Sequence, residues 1–102
     1  MKLYALVMVG FRDQYPVVDQ RIEGVFSKYR ELGYYIENAN LDLFADDRFT
    51  YAVIISLDAN KVHYYDNRAI YKVYKKQGCL IQELSEDEIP QALKDLYGSA
   101  AL

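Results

Sequence analysis

The sequence predicts a single small α+β domain, built on an antiparallel sheet of about five strands with two helices packed on one face. The chain has 102 residues, which is the usual size of one domain. It contains several runs of β-branched and aromatic residues typical of strands, and two segments with apolar residues at helical spacing. The expected element order is β-α-β-β-β-β-β-α. We assign residues 1–98 to this domain and residues 99–102 to a frayed tail.

The first two predicted elements are a strand and a long helix. Residues 2–9 form an almost continuous apolar run, which is typical of a central strand covered on both faces. Residues 15–32 carry an apolar stripe at helical spacing, with Asp13 as the expected N-cap and Gly33 as the expected left-handed residue after the last turn. The stripe consists of Val18, Ile22, Val25, Phe26, Tyr29 and Leu32.

The middle of the chain predicts three strands. Residues 34–38 indicate a short one, and the acidic stretch 42–48 that follows is typical of a loop or a helical turn. Residues 49–57 are dominated by β-branched and aromatic side chains and predict a strong strand. After a turn, residues 61–65 give a further candidate strand.

Residues 66–84 decide between two folds. In a hairpin, residues 69–75 and 79–84 are strands joined by a short loop in which Gly78 takes the left-handed conformation. In the alternative, a helix capped by Asp66 ends at Gly78, and the fold becomes ferredoxin-like, β-α-β-β-α-β with a C-terminal helix. We favour the hairpin because isoleucine, tyrosine and valine are better strand formers than helix formers.

The last predicted element is a helix that begins at a capping box. Ser85 and Glu88 have the required spacing, and the helix is expected to end at Gly98. Its apolar stripe consists of Ile89, Leu93 and Leu96.

Composition and charge exclude several classes of protein. The net charge is −3, from 15 acidic and 12 basic side chains, which disfavours nonspecific nucleic-acid binding by the whole domain. The single cysteine, Cys79, cannot form an intramolecular disulfide, and no Cys/His cluster indicates structural zinc. The N-terminal apolar run is too short to span a bilayer and lacks a cleavage pattern. We therefore expect a cytoplasmic protein with no cofactor, no metal and no membrane attachment.

No group of residues has the pattern of a catalytic or metal site. His63 is the one histidine, and a general base also needs a positioned partner. Cys79 lacks the signature of a catalytic thiol. Asp42, Asp46 and Asp47 lack the spacing of a calcium-binding loop. We assign no catalytic residue and do not expect an enzyme.

Tyrosine is the unusual feature of the composition. The chain has 11 tyrosines and no tryptophan, and tyrosine is enriched at protein interfaces. Residues 61–76 combine tyrosines with five cationic side chains and one acidic one, a net charge of +4, while residues 34–60 and 81–97 each carry five acidic and one basic, a net charge of −4. The candidate binding residues in this region are His63, Tyr64, Tyr65, Arg68, Tyr71, Lys72, Tyr74 and Lys75.

Three functional hypotheses follow from this surface. The leading one is a small non-enzymatic binding or regulatory protein that acts on a protein partner through a tyrosine-rich sheet surface, such as an inhibitor or accessory factor from a mobile element. The second is single-stranded nucleic-acid binding by residues 61–76, whose tyrosines would stack on bases. The third is a small enzyme or ligand binder, with His63 or Tyr64 near a cleft between helix and sheet. A strand edge can also be buried by a second copy, giving a homo-oligomer.

Overall fold

The computed structural model describes residues 2–11, 18–39, 43–58, 68–78 and 80–97. Its elements are β1 (Lys2–Phe11), β2 (Val18–Phe26), α1 (Tyr29–Ala39), β3 (Tyr51–Asp58), β4 (Arg68–Gln77), β5 (Leu80–Glu83), a short 3₁₀ turn (Glu86–Glu88) and α2 (Gln91–Tyr97). All strand pairs are antiparallel, in the order β2-β1-β3-β4-β5. The predicted α+β fold with a five-stranded antiparallel sheet and two helices is confirmed.

The two helices pack on opposite faces of the sheet, so the expectation that both lie on one face was wrong. On the face that we call the α2 face, Val7 and Val9 of β1 pack in one core cluster with Leu93 of α2. On the other face, the α1 face, Leu6 and Met8 pack with Leu32 of α1. A central strand that is apolar at successive positions has two faces to cover, and one helix covers each.

The hydroxyl of Tyr97 ties α2 to the far edge of the sheet. It donates a hydrogen bond to Oε1 of Gln20 in β2, over an oxygen–oxygen distance of 2.5 Å. Leu93 and Tyr97 are buried against the α2 face, and the contacts of α2 also include β4. A helix of only seven residues is not stable alone in water, so these tertiary contacts hold it in place.

The predicted helix over residues 15–32 was wrong, and a β-bulge explains the error. In the pairing of β1 with β2, Val7 lies opposite Ile22 and Leu6 opposite Gly24, so Glu23 is an extra residue. The bulge changes the spacing of residues on one face of the strand from two to three. The apolar residues of β2 are paired with residues of β1 that lie on the α2 face, so they lie on that face too. Their spacing along the chain is four and then three residues, which is also the spacing of one helix face. These residues are Val18, Ile22 and Val25.

Helix α1 begins where the predicted helix was expected to end. It runs over Tyr29–Ala39, so Gly33 lies inside it and not after its last turn, and the strand predicted at residues 34–38 was wrong. Its buried residues Leu32 and Ile36 are four apart, which is the helical spacing that places them on one face. The predicted cap Asp13 lies outside the described residues.

The predicted hairpin is confirmed, but β4 runs on to Gln77 and β5 begins at Leu80, so Lys76 and Gln77 belong to the strand and not to the loop. Tyr74 lies opposite Glu83 and Gln77 opposite Leu80, and Gly78 at the turn has a φ of +59°. This left-handed conformation favours glycine, which has no Cβ to clash with the backbone. Since β4 is a strand, the ferredoxin-like alternative with a helix at residues 66–77 was wrong. The strand predicted at residues 61–65, Cys79 and the tail 99–102 lie outside the described residues.

The capping box is confirmed, although it begins a shorter element than expected. The Ser85 amide donates to Oε1 of Glu88 at 2.9 Å, and the hydroxyl of Ser85 donates to the same oxygen at 2.8 Å. These hydrogen bonds lower the pKa of Glu88. The element that they start is the 3₁₀ turn, and α2 follows after Pro90.

The acidic stretch before β3 forms a local ion pair. The guanidinium of Arg48 contacts the carboxylate of Asp46 at 2.7 Å and lies over the ring of Phe49, 5.3 Å from its centroid. Its hydrogen bonds lower the pKa of Asp46 to about 2. Within the described ranges, no cluster of three metal-ligating side chains occurs, and no helix has the length and apolar character needed to cross a membrane.

Candidate binding cleft

An open cavity of about 620 Å³ lies on the α1 face, between α1 and the β4–β5 hairpin. We call it the tyrosine cleft. Five of its lining residues come from α1 and three from the hairpin. The lining consists of Tyr29, Arg30, Gly33, Tyr34 and Ile36 from α1, with Lys72, Tyr74 and Glu83 from the hairpin.

Helical spacing places the α1 residues along one wall of the tyrosine cleft. Tyr29 and Gly33 are four residues apart, as are Arg30 and Tyr34, and residues at this spacing are neighbours on a helix surface. Gly33 has no side chain, and a Cβ built there meets no atom within 4 Å. The wall is therefore open at its centre, between tyrosine rings.

A second bulge, in β4, directs the hairpin residues toward the cleft. Ile55 lies opposite Ile70 and Ile54 opposite Lys72, so Tyr71 is the extra residue. Since Ile54 belongs to the core of the α1 face, Lys72 lies on that face, and the alternation of the strand places Tyr74 there too. The bulge thus brings Tyr71, Lys72 and Tyr74 to the same face as α1.

Three tyrosine rings behind the cleft join α1 to the sheet. The ring centroids of Tyr4 and Tyr29 are 5.8 Å apart, those of Tyr4 and Tyr71 5.4 Å, and those of Tyr29 and Tyr71 4.8 Å. Edge-on and tilted pairs at these distances contribute roughly 0.5–1.5 kcal/mol each beyond the burial of their area. This cluster fixes the start of α1 and the position of Tyr29 at the cleft wall.

Lys72 and Glu83 form an ion pair inside the cleft, with 2.7 Å between Nζ and Oε1. The ammonium also lies 5.4 Å from the ring centroid of Tyr29. The Glu83 carboxylate, and after it the Tyr29 phenol, raise the pKa of Lys72. The pair also borders a second cavity of about 190 Å³, whose lining includes Tyr71 and Ser85. Lys72 is therefore positioned by an anion and a ring, and not free in solvent.

The phenol of Tyr74 is held in its neutral form. Burial is the largest cause of the raised pKa at Tyr74, followed by the nearby Tyr29 phenol. The nearby Glu83 carboxylate adds to the effect, and the Lys72 ammonium opposes it. The lining of the cleft thus brings together the polar groups of Tyr29, Lys72, Tyr74 and Glu83.

The stability of the domain is expected to fall above about pH 10, where phenols ionise in the unfolded chain. The pKa of Tyr74 is raised in the folded state, so its contribution to the free energy of unfolding is fully present below that pH. This contribution is lost as the pH rises through the folded pKa. Urea unfolding of the Tyr74→Phe variant across this range tests the point, with Tyr35→Phe, at a position outside the cleft lining, as a control for the loss of a hydroxyl. The stability difference between wild type and Tyr74→Phe should shrink as the pH rises, and a constant difference would contradict the assignment.

Three of the eight predicted binding residues meet at this cleft. Lys72 and Tyr74 line it, and Tyr71 supports it from the ring cluster. Lys75 lies on the opposite face, with its Nζ 5.8 Å from the ring centroid of Tyr51. Arg68 begins β4. The remaining three, His63, Tyr64 and Tyr65, lie outside the described residues.

The prediction missed the residues that α1 and β5 contribute to the cleft. Tyr29 and Arg30 were placed at the end of the helix predicted over residues 15–32, and Tyr34 was placed in a strand, because the helix was put too early in the chain. Glu83 lies opposite Tyr74, whereas the predicted loop over residues 76–78 would have placed it opposite Tyr71. Comparisons with protein-family models, curated proteins and solved structures found no match to this chain.

Proposed function

We propose that this chain is a non-enzymatic, cytoplasmic binding module that holds part of a protein partner in the tyrosine cleft. The observation that carries the proposal is the convergence of Tyr29, Tyr34 and Tyr74 on the Lys72–Glu83 ion pair in one open cavity. Tyrosine and arginine are enriched among the residues that dominate binding energy at protein interfaces. A module that occupies a partner in this way would act as an inhibitor or accessory factor, such as one from a mobile element.

Tyr34 is the residue best placed to contact a partner first. It is 63% exposed at the cleft, whereas the other two tyrosines of the lining, Tyr29 and Tyr74, are half-buried. A tyrosine ring has few rotatable bonds, so covering it loses little side-chain entropy. The ring is held on a helix, which positions it more rigidly than a loop would. Burial of the Tyr34 ring by a partner is therefore a source of affinity.

The charges of the cleft favour an acidic group on the partner. Lys72 and Glu83 neutralise each other, and Arg30 adds one positive charge to the lining. The chain as a whole has a net charge of −3, so the cleft is a locally positive site on an acidic protein. An aromatic or aliphatic side chain next to a carboxylate matches both the rings and this charge.

A small organic ligand is the second candidate, and the volume of the cavity favours it. Ligand sites usually measure about 300–1,000 Å³ and combine apolar walls with a few convergent polar groups. The cleft, at about 620 Å³, has such groups in Tyr29, Lys72 and Glu83. A ligand that raises the melting temperature of wild type but not of Tyr34→Ala would support this second candidate.

The arrangement of charges weighs against binding to single-stranded nucleic acid. Lys72 is paired with Glu83, and Nζ of Lys76 lies 4.0 Å from a carboxylate oxygen of Asp47. Lys75 lies on the other face of the sheet. A phosphate backbone is bound by unpaired cations along one surface, and β4 divides its lysines between two.

Removing the Tyr34 ring is expected to reduce partner binding at least about tenfold, the loss that corresponds to 1.4 kcal/mol. The Tyr34→Ala and Tyr35→Ala variants form a matched pair, because Tyr35 is also exposed but packs against Phe26, with ring centroids 5.9 Å apart, and does not line the cleft. Titrating each folded variant against a protein retained from a native host extract measures the difference.

The proposal requires that Tyr35→Ala binds the retained protein nearly as well as wild type does. If the folded wild-type domain retains no protein, or if both variants bind equally well, the cleft is not the docking site.

A further inference from the structure

Strand β2 is a long open edge of the sheet. It has nine residues, and among the described residues β1 is the one strand that pairs with it. The opposite edge strand, β5, has only four. Along β2, the side chains of Gln20, Arg21 and Ile22 are all exposed. An edge of this length presents a row of backbone donors and acceptors to another strand.

The apolar side chains of β2 are unusually exposed for an edge strand. Ile22 is 67% exposed and Val25 is 56% exposed, and both lie on the α2 face because they are paired with Val7 and Ala5 of β1. Aliphatic side chains at an open edge gain free energy when a second strand covers them. The apolar surface of the α2 face therefore continues to the rim of the sheet.

We propose that β2 pairs antiparallel with β2 of a second copy of this chain, about a two-fold axis at Ile22. Ile22 is the midpoint of Val18–Phe26, so this register alone overlaps the whole strand. It places Arg21 of each copy opposite Glu23 of the other, giving two reciprocal ion pairs. Moving the axis by one residue would place Arg21 opposite Arg21, or Glu23 opposite Glu23. Charge complementarity thus selects the register that also gives full overlap.

The bulge in β2 lies next to the proposed axis. In the pairing of β2 with β1, Glu23 is the extra residue between Ile22 and Gly24. Within one copy, Arg21 and Glu23 already form an ion pair. Both side chains therefore lie on the same side of the strand. On pairing, each would exchange its partner within the chain for the same residue of the other copy.

The two-fold pairing closes after two copies. Joining the β2 edges gives a continuous sheet of ten strands, with the short β5 strand at each outer end. Two-fold contacts use the same surface on both copies, so no β2 edge is left for a third. No residue of β2 is among those that line the tyrosine cleft, and the β4–β5 hairpin lies at the other end of the sheet order. Pairing leaves both clefts accessible, and the dimer would present two equivalent binding sites.

Charge reversal at the two positions tests the pairing. Sedimentation equilibrium should give a dimer for wild type at high protein concentration. Arg21→Glu alone and Glu23→Arg alone should each be folded monomers, because each places like charges opposite each other. An equimolar mixture of the two variants should form a heterodimer, since every opposed pair then has opposite signs. A monomeric mixture, or single variants that dimerise as well as wild type, would overturn the proposal.

A second pair of variants tests the edge itself. Ile22→Lys should abolish the dimer, whereas Leu80→Lys, at a 71% exposed position on the β5 edge, should leave it intact. Circular dichroism checks that each variant is folded. A wild-type protein that is monomeric at all concentrations, or a dimer that survives Ile22→Lys, would contradict the β2 interface without bearing on the tyrosine cleft.

Discussion

Gly10→Ala is expected to destabilise the domain by at least about 3 kcal/mol, a large share of the roughly 5–15 kcal/mol that holds a typical domain folded. A Cβ built on Gly10 would overlap the carbonyl oxygen of Arg48 and lie 2.7 Å from its carbonyl carbon. Both are backbone atoms, which cannot rotate away as a side chain can. The neighbouring hydrogen bond from the Thr50 amide to the Val9 carbonyl, at 3.0 Å, holds the two segments at this separation.

The same substitution at Gly33 is expected to have the opposite sign. Gly33 lies inside α1, and a Cβ built there meets no atom within 4 Å. Alanine at a helix position without a clash stabilises by about 0.5–1 kcal/mol relative to glycine. Urea unfolding of Gly10→Ala and Gly33→Ala measures both changes. Equal effects of the two substitutions would contradict the close approach at Gly10, as would a fully stable Gly10→Ala.

Leu93→Ala is the second substitution with a large expected effect, a loss of about 2–5 kcal/mol. Leu93 is fully buried in the core cluster of the α2 face, with Val53 and Ile70 from the central strands. Truncation leaves a cavity under a helix of seven residues, which depends on its buried side chains for its place on the sheet.

The matched control for Leu93 is Leu80→Ala. Leu80 is 71% exposed on β5, so the same change of side chain should alter stability by no more than about 0.5 kcal/mol. Chemical denaturation with both variants decides the point. A Leu93→Ala variant as stable as Leu80→Ala would mean that α2 does not cover the second face of the sheet.

The C-terminal half of the fold was predictable because local chemistry determines it. The turn requires a residue in the left-handed conformation, which Gly78 supplies. In the capping box, the backbone amide of Ser85 donates a hydrogen bond to the side chain of Glu88. Both signals depend on a few neighbouring residues. The pattern of β3 is equally direct, since β-branched residues at successive positions fit a strand buried on both faces.

The N-terminal half was misread because a bulge changes the period of a strand. The extra residue Glu23 moves Val25 to the face of Ile22, and the resulting spacing of four and then three is that of a helix. The stripe then continued without a break into the true helix at Tyr29 and Leu32. The sequence pattern alone does not show where the spacing of the strand ends and the spacing of the helix begins. The pairing of β2 with β1 in the structure shows where the strand ends.

The misplaced helix also hid half of the candidate site. With Gly33 taken as the end of a helix, Tyr34 fell in a predicted strand, and its place with Tyr29 in the cleft lining was missed. The hairpin half of the cleft was anticipated, since Lys72 and Tyr74 were among the predicted binding residues. The position of α1 relative to the hairpin is a tertiary feature that depends on the Tyr4–Tyr29–Tyr71 cluster.

Site-specific photo-crosslinking at position 34 tests the tyrosine cleft most directly. A photoreactive phenylalanine analogue resembles tyrosine in shape, and Tyr34 is exposed enough to accept it without disturbing the core. The same analogue at position 35 is the control, because Tyr35 lies on the same helix but outside the cleft lining. Irradiation in native host extract should join a defined protein to the chain from position 34 and give little or no product from position 35. Equal products from both positions, or a product from position 35 alone, would contradict binding at the cleft.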